Sequence, residues 1–141
     1  LSPVELESRY EVYAEQYNLA IEVEAKLVSD IATTKIYPAA IAYLSELTHA
    51  SSSVLDLGIE LDNSVTKAVA EHVNGLMAAV SKIDVEVAKH DFADAEAHMR
   101  HSADVLCPLM GEAREHGDAL ELLVADELWP LPKYQEMLFI K

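Results

Sequence analysis

Apolar residues recur every three or four positions along most of this 141-residue chain, and this spacing places them on one side of an α-helix. The pattern is clearest in the middle of the chain, at Val65, Val69, Val73, Leu76, Val80, Ile83 and Val87. Four glycines and five prolines interrupt it at few places, while 51% of the residues are hydrophobic. The sequence therefore predicts an all-α protein.

Three long helices are predicted, over residues of about 3–49, 63–89 and 92–128. The first begins with Ser2 as the cap, Pro3 at the first helical position and Glu5 completing a capping box. Pro38 lacks an amide hydrogen and crowds the preceding turn, which predicts a break near residue 37. Pro108 predicts a similar kink in the third helix.

The connection between the first two helices is predicted over residues 50–62, which contain three consecutive serines and Gly58. Asn63 or Ser64 is predicted to cap the second helix. Gly75 inside that helix is expected to weaken it by about 1 kcal/mol relative to alanine.

Amphipathic helices joined by short connections bury their apolar sides against one another. The prediction is a single domain, residues 1–141, in which three long helices form an antiparallel up-down-up bundle and residues 129–141 form an extended, proline-rich tail. Because the chain opens at Leu1 without an initiator methionine, we expect a piece of a longer protein.

Charge and cysteine content narrow the possible partners and compartment. Ten Lys and Arg against 25 Asp and Glu give a net charge of −15, which disfavours nucleic acid and anionic membranes as partners. Cys107 is the one cysteine, so the chain forms no internal disulfide and suits a reducing cytoplasm. The sequence also contains no leader pattern and no membrane-length apolar run.

The histidines do not predict a metal site. Glu46 and His49 form one Glu-x-x-His pair, whereas a di-iron bundle needs two such pairs. His98 and His101 lie one turn apart and are expected on a solvent-facing side, without further zinc ligands. Nucleotide-binding loops rich in glycine are also missing. We therefore predict no catalytic, cofactor-binding or metal residue in this chain.

Two further reactive groups have structural interpretations. Glu24 lies close to the apolar side of the first helix, where it could be partly buried. The expected alternatives are pairing with Lys26, Lys35 or a neighbouring helix, simple exposure, or contact with another domain. Cys107 precedes Pro108 among apolar neighbours and is expected to be a packed thiol rather than a nucleophile.

The tail carries the candidate docking residues. Trp129 and Leu131 each precede a proline, which favours extended backbone there. Their apolar surface either closes the end of this same bundle or meets another domain or subunit. The predicted docking residues are Trp129, Pro130, Leu131, Tyr134, Met137, Leu138 and Phe139.

Several of these segments resemble the carboxyl terminus of type III glutamine synthetases, the large bacterial form of the enzyme. The most specific is Leu128-Trp129-Pro130-Leu131-Pro132, and the others are Arg9-Tyr10-Glu11-Val12-Tyr13, Ile21-Glu22-Val23-Glu24-Ala25, Ile36-Tyr37-Pro38-Ala39-Ala40 and Ala113-Arg114-Glu115.

The resemblance implies a helical, non-catalytic domain that supports assembly and follows the catalytic domain of the same chain in a homo-oligomeric parent. That parent would join ammonia to glutamate using ATP with Mg or Mn, with its active site upstream of Leu1. This segment alone is then expected to be inactive and to bind no cofactor. The alternative is a free-standing acidic helical interaction module that binds a partner helix between its own helices.

Overall fold

Three continuous helical runs make up the regular structure of residues 2–132, which are the residues that the computed structural model describes. The first run consists of α1 (Pro3–Ile31), a π-helical turn (Ala32–Ile36) and α2 (Tyr37–Leu55). The second is α3 (Ser64–Val87). The third consists of α4 (Ala95–His101), a π-helical turn (Ser102–Leu106) and α5 (Cys107–Leu123). The all-α prediction is confirmed.

The first helix begins where the sequence predicted. The Glu5 amide donates to Ser2 Oγ at 3.2 Å, and the Ser2 amide donates to Glu5 Oε2 at 3.2 Å. Each of these bonds satisfies an amide that the helix itself leaves without a partner, so the two together form a capping box.

The kinks predicted at Pro38 and Pro108 are not confirmed. At both places the helix continues through a π-helical turn that ends just before the proline. The Tyr37 amide donates to the Ala32 carbonyl, and the Cys107 amide donates to the Ser102 carbonyl, each five residues back. A π-helical turn is wider than an α-helical one, so it changes the local hydrogen bonding where the proline ring and missing donor disturb it.

The predicted connection over residues 50–62 begins too early, because α2 continues to Leu55. Gly58 then adopts a φ of 80°, in the left-handed region. The Gly58 amide donates to the Leu55 carbonyl at 2.9 Å, and the Ile59 amide donates to the Val54 carbonyl at 3.1 Å. This bond pair is the Schellman arrangement, for which glycine is the favoured residue.

Aspartates organise the starts of the two later runs. The Ser64 amide donates to Asp62 Oδ1 at 2.7 Å, and hydrogen bonding to Ser64 lowers the pKa of Asp62. Asn63 occupies the N-cap position of α3, one of the two predicted, but its side chain makes no capping bond. The carboxylate of Asp62, which the sequence analysis did not consider, bonds to the first helical amide instead. The third run begins at Ala95 rather than residue 92, since Asp94 caps it through the Ala97 amide at 2.8 Å.

The core lies around α3. The short links after α2 and α3 reverse the chain, so α3 runs back along the first run and packs most extensively on α5. Its side chains buried in this position are Val69, Val73, Leu76, Ala79, Val80 and Ile83. These positions belong to the apolar pattern that was clearest in the sequence, apart from Ala79.

The third run ends earlier than the predicted residue 128. Leu123 is the last residue of α5, and Val124 takes an extended conformation while its side chain stays buried. A turn follows in which the Leu128 amide donates to the Ala125 carbonyl at 3.0 Å. This turn directs Trp129 back onto the core. The predicted extended tail is not confirmed for residues 129–132, and the rest of it lies outside the described residues.

Gly75 has a role that the sequence did not predict. It lies where α3 approaches α5, and a Cβ at this position would overlap the imidazole of His116. That imidazole is hydrogen-bonded through Nδ1 to Nδ1 of His72 at 3.1 Å. The glycine therefore provides the space for a histidine pair that links the two helices.

We predict that Gly75→Ala destabilises the protein by up to about 2 kcal/mol, because displacing the His116 ring costs about 1–3 kcal/mol and the gain in helix propensity offsets about 1 kcal/mol of it. Helix propensity alone predicts the opposite, a gain of about 1 kcal/mol. Urea unfolding measures the difference. Gly111→Ala is the matched control, since a Cβ there meets no atom within 4 Å. Equal stabilisation by both substitutions would contradict the proposed close approach.

Leu76 lies at the middle of the α3 core and is 1% exposed. Leu76→Ala is expected to lower the free energy of unfolding by about 2–5 kcal/mol through lost burial and a residual cavity. Val85→Ala on the exposed side of the same helix should cost less than about 1 kcal/mol. Similar losses for the two variants in urea unfolding would show that the assigned core side is wrong.

Candidate functional site

A groove of about 550 Å³ lies between α1 and α5, with Trp129 and Leu131 contributing to its lining. α1 contributes the apolar side chains of Leu27, Val28 and Ile31. The remaining apolar lining residues are Ala32, Ile36, Leu76, Met110 and Ala113. A concave apolar surface of this kind is suited to burying an apolar segment of another chain or domain.

Trp129 is the largest side chain at this groove and is 9% exposed. Its indole Nε1 is buried, and no atom of the described residues accepts its hydrogen. Tryptophan N–H groups usually find an acceptor when buried. An unpaired buried donor costs about 1–3 kcal/mol. Because Nε1 itself is buried, an acceptor from outside reaches it only if the Trp129 side chain shifts.

The predicted docking residues fall into three groups. Trp129 is buried against the core and Leu131 is half-buried on it, whereas Pro130 is exposed. The packing of Trp129 and Leu131 matches the alternative in which the tail closes its own bundle. Tyr134, Met137, Leu138 and Phe139 lie outside the described residues, so their docking role stays a prediction.

Charged residues surround the apolar lining. Glu24, Asp118 and Glu121 contribute carboxylates, and Arg114 contributes one guanidinium. Acidic groups therefore outnumber basic ones at the rim, as they do in the chain overall. This balance favours an occupant with apolar side chains and basic groups beside them.

Glu24 is exposed, which confirms one of the alternatives left open for it, and its partial burial is not confirmed. Glu22, which is half-buried, pairs with Lys26 at 3.2 Å. The two glutamates are two residues apart and so lie about 200° apart around the helix. The apolar spacing correctly predicted a helix here. It placed Glu24 beside the apolar side of that helix, whereas the half-buried glutamate is Glu22.

A second cluster contains histidines that the sequence placed on a solvent-facing side. Phe92 stacks on His98 with ring centroids 4.4 Å apart and also contacts His101 at 4.9 Å. His101 Nε2 lies 2.8 Å from Glu86 Oε2, and that carboxylate also pairs with Lys89. Both histidines are half-buried, so the solvent-facing assignment is wrong. Phe92 covers them from the link between α3 and α4, a contact that helical periodicity does not reveal.

These contacts influence proton binding. Burial lowers the pKa of His98, an effect that the charges of His101 and His90 reinforce and that of Glu22 opposes. Hydrogen bonds from Lys89 and His101 lower the pKa of Glu86. The cluster connects α3 to α4 through charge and ring stacking, which makes it a structural element.

One buried polar contact was missed by the sequence analysis. Asn18 donates through Nδ2 to the Ala95 carbonyl at 3.2 Å and accepts from Ser102 Oγ at 3.3 Å. Asn18 lies on the same side of α1 as the buried residues Ala14 and Ala25. A search for the buried side that considers only apolar residues does not include it. Its amide fixes the start of the third run against α1.

Cys107 is half-buried, and its Sγ lies 3.9 Å from the Tyr17 hydroxyl. The contact with Cys107 and burial raise the pKa of Tyr17. Within residues 2–132, no cluster of three or more His, Cys, Asp or Glu side chains has a metal-binding arrangement. None of the helices in that range combines the length and hydropathy needed to cross a bilayer.

Comparison with known proteins identifies the family. A family model described as the glutamine synthetase C-terminal domain matches residues 1–54. The chain is 33% identical over 151 aligned positions to the type-3 glutamine synthetase of Dictyostelium discoideum, covering 100% of this chain and 20% of that protein. The chain belongs to the glutamine synthetase C-terminal domain family.

A glutamine synthetase of Bacteroides fragilis is 30% identical over 148 aligned positions, which cover 97% of this chain and 20% of that protein. The chain thus spans about a fifth of the length of the curated relatives it matches. The resemblance predicted from the sequence is confirmed. The relatives come from a eukaryote and a bacterium, so the expected restriction to a bacterial form is not shown.

Stability below neutral pH is predicted to depend on His98. Because its pKa is lowered on folding, its stabilising contribution is complete above the ordinary value of 6.5 and is lost as the pH falls through the lowered folded value. His98→Phe retains a ring against Phe92 but cannot bind a proton. Urea unfolding at a series of pH values should therefore show a weaker loss on acidification for His98→Phe than for the wild type.

The matched control for this experiment is His49→Phe, because His49 is exposed on α2. That variant should keep the wild-type dependence on pH. If His98→Phe and the wild type lose stability in parallel between neutral and mildly acidic pH, protonation of His98 is not coupled to folding.

Proposed function

We propose that this chain is a non-catalytic structural and assembly domain in the carboxyl-terminal region of a type III glutamine synthetase. The parent enzyme would join ammonia to glutamate with ATP and Mg or Mn, using residues in another part of the protein. The main support for this proposal is the coverage of the alignments. They include nearly all of this chain but only about a fifth of each relative. Such coverage is typical of one domain within a longer enzyme.

The side-chain contacts support a structural role. His98 and His101 are engaged with Phe92 and Glu86. His72 and His116 join α3 to α5. These groups hold elements of the fold together in the structure, and none of these contacts arranges a nucleophile beside a general base.

We assign docking of the catalytic part of the parent to the groove between α1 and α5. Three observations favour it: the apolar lining, the buried Trp129 Nε1 without a described acceptor, and the acidic rim. The proposed segment inserts apolar side chains and places Lys or Arg at the rim. Its insertion shifts the Trp129 ring, so that a carbonyl or carboxylate of the segment accepts the indole N–H. Oligomeric assembly in the cytoplasm belongs to the same proposal, and the unpaired thiol of Cys107 is compatible with it.

Trp129→Phe tests this docking, since it keeps an aromatic ring and removes the N–H group. In the 141-residue chain the unfolding free energy should change by less than about 2 kcal/mol, because the lost donor is unpaired there. In the full-length parent the same variant should weaken assembly, measured by size-exclusion chromatography with light scattering, and glutamine formation should fall with it. Leu122→Ala on the exposed side of α5 is the control and should assemble normally.

Two outcomes would contradict separate parts of the proposal. Normal assembly of the Trp129→Phe parent would remove the groove as the docking site. Formation of glutamine from ATP, glutamate and ammonia by the 141-residue chain alone would overturn the non-catalytic role. If the groove instead captures a separate basic helix and the parent assembles without it, the alternative of an acidic interaction module is favoured.

A further inference from the structure

α1 has apolar residues on two opposite sides. One side faces the bundle, where Ala14, Asn18 and Ala25 are buried. The other side faces solvent and carries Val12, Leu19, Val23 and Leu27, which we call the outer stripe. Leu27 lies at its edge and also lines the groove. These four side chains are 51%, 63%, 58% and 54% exposed.

The spacing of the outer stripe makes it continuous. Its members are separated by seven, four and four residues, so they lie within about 80° of one another around the helix. Gln16 and Ala20 fill the positions between them and are also exposed. A single surface helix in a monomer normally has a polar outer side, so a second apolar stripe indicates a side that is covered in an assembly.

Opposite charges lie at the two ends of this same side. Arg9 is one turn before Val12, and Asp30 is one turn after Leu27. Both are exposed, and neither forms an ion pair with another residue between 2 and 132. Each lies the same number of residues from the midpoint between Leu19 and Ala20.

We propose that the outer side of α1 pairs antiparallel with the same side of α1 in a second copy of this chain. A two-fold axis between Leu19 and Ala20 places Arg9 opposite Asp30 of the second copy, and Val12 opposite Leu27. The reciprocal contacts occur at the other end, as an interface between identical surfaces requires. This pairing deepens the proposed assembly role and rests on it for its place in the parent enzyme.

We assign the partner as a second copy of this chain because the charges on this side of α1 are complementary to those of a second α1 that runs in the opposite direction. In a parallel pair Arg9 would lie opposite a second Arg9, and Asp30 opposite a second Asp30, so like charges would meet. The antiparallel arrangement instead produces two pairs of opposite charge. These local pairs also offset part of the repulsion expected between two chains that each carry a charge of −15.

The extent of the surface sets the expected strength. Residues 9–30 cover about 33 Å of helix at 1.5 Å per residue. Helices in contact over that length bury on the order of 1,000 Å² in total, which is at the lower limit of specific interfaces. The pairing is therefore a reversible dimer contact in the separate chain, and multiple copies of it in an oligomer would reinforce one another.

Sedimentation equilibrium of the 141-residue chain at about 0.15 M salt, where exposed charges are screened beyond roughly 8 Å, tests the pairing. The wild type should approach a dimer as its concentration rises. Leu19→Glu should raise the dimer Kd at least tenfold, since it places two carboxylates near the axis. Arg9→Asp and Asp30→Arg should each weaken the dimer, and the double variant Arg9→Asp with Asp30→Arg should restore it.

Leu122→Glu is the control, because Leu122 is exposed on α5 and outside the outer stripe. It should leave the Kd unchanged. Circular dichroism and urea unfolding confirm that each variant remains folded. A wild type that stays monomeric at the highest concentration reached, or a double variant no better than the singles, overturns the antiparallel pairing. Neither result contradicts docking at the groove or the non-catalytic role, because those two proposals are tested by the separate experiments given above.

Discussion

Burial of the apolar side of α3 is the interaction on which the rest of the structure depends. Leu76 and Ile83 are among its fully buried side chains, with the first run on one side and α5 on the other. Three helical runs of this amphipathic kind cannot each bury an apolar side alone, so the central helix provides the surface that the other two share. Gly75 allows α5 to approach closely enough for His116 to reach His72.

The same arrangement explains where the chain presents exposed apolar surface. α5 and α1 both pack on α3, and the space between them forms the groove beside Trp129. The bundle covers one side of α1 and leaves its outer stripe exposed. The titratable groups that hold helices together and the apolar groove and outer stripe are the two features on which the proposed structural role rests. The family match and the coverage of about a fifth of each relative show that the chain corresponds to a part of a longer protein in those relatives.

Local signals in the sequence predicted local structure well. Ser2, Pro3 and Glu5 start α1 because their capping bonds involve residues within one turn. The α3 pattern identified the buried side because one-sided burial imposes the helical period on the sequence. Predictions failed where the deciding contact comes from outside the helix, either from a link or from residues far along the chain. Phe92 covers His98 and His101 from a link, and Asn18 is buried because Ala95 and Ser102 provide its hydrogen bonds.

The candidate site was predictable in part for the same reason. Trp129, bracketed by apolar residues and prolines, was recognisable as an anchor, but its burial results from the turn at residues 125–128. The groove could not be predicted, because it is formed by residues of α1, α3 and α5 that are distant in sequence. Glu24 shows the precision that is needed: a shift of two residues around a helix changes a buried edge into an exposed one.

By itself, the sequence determined that the chain is helical, where α1 begins, which side of α3 is buried and which family the chain resembles. These properties depend on hydrogen bonds within one helical turn or on a repeated apolar pattern, and residues close together in the sequence determine both. Only the tertiary structure decided which polar side chains are covered, why Gly75 is tolerated within a core helix, and where apolar surface remains exposed. Those outcomes depend on how closely distant helices approach, and that distance results from packing of the whole bundle.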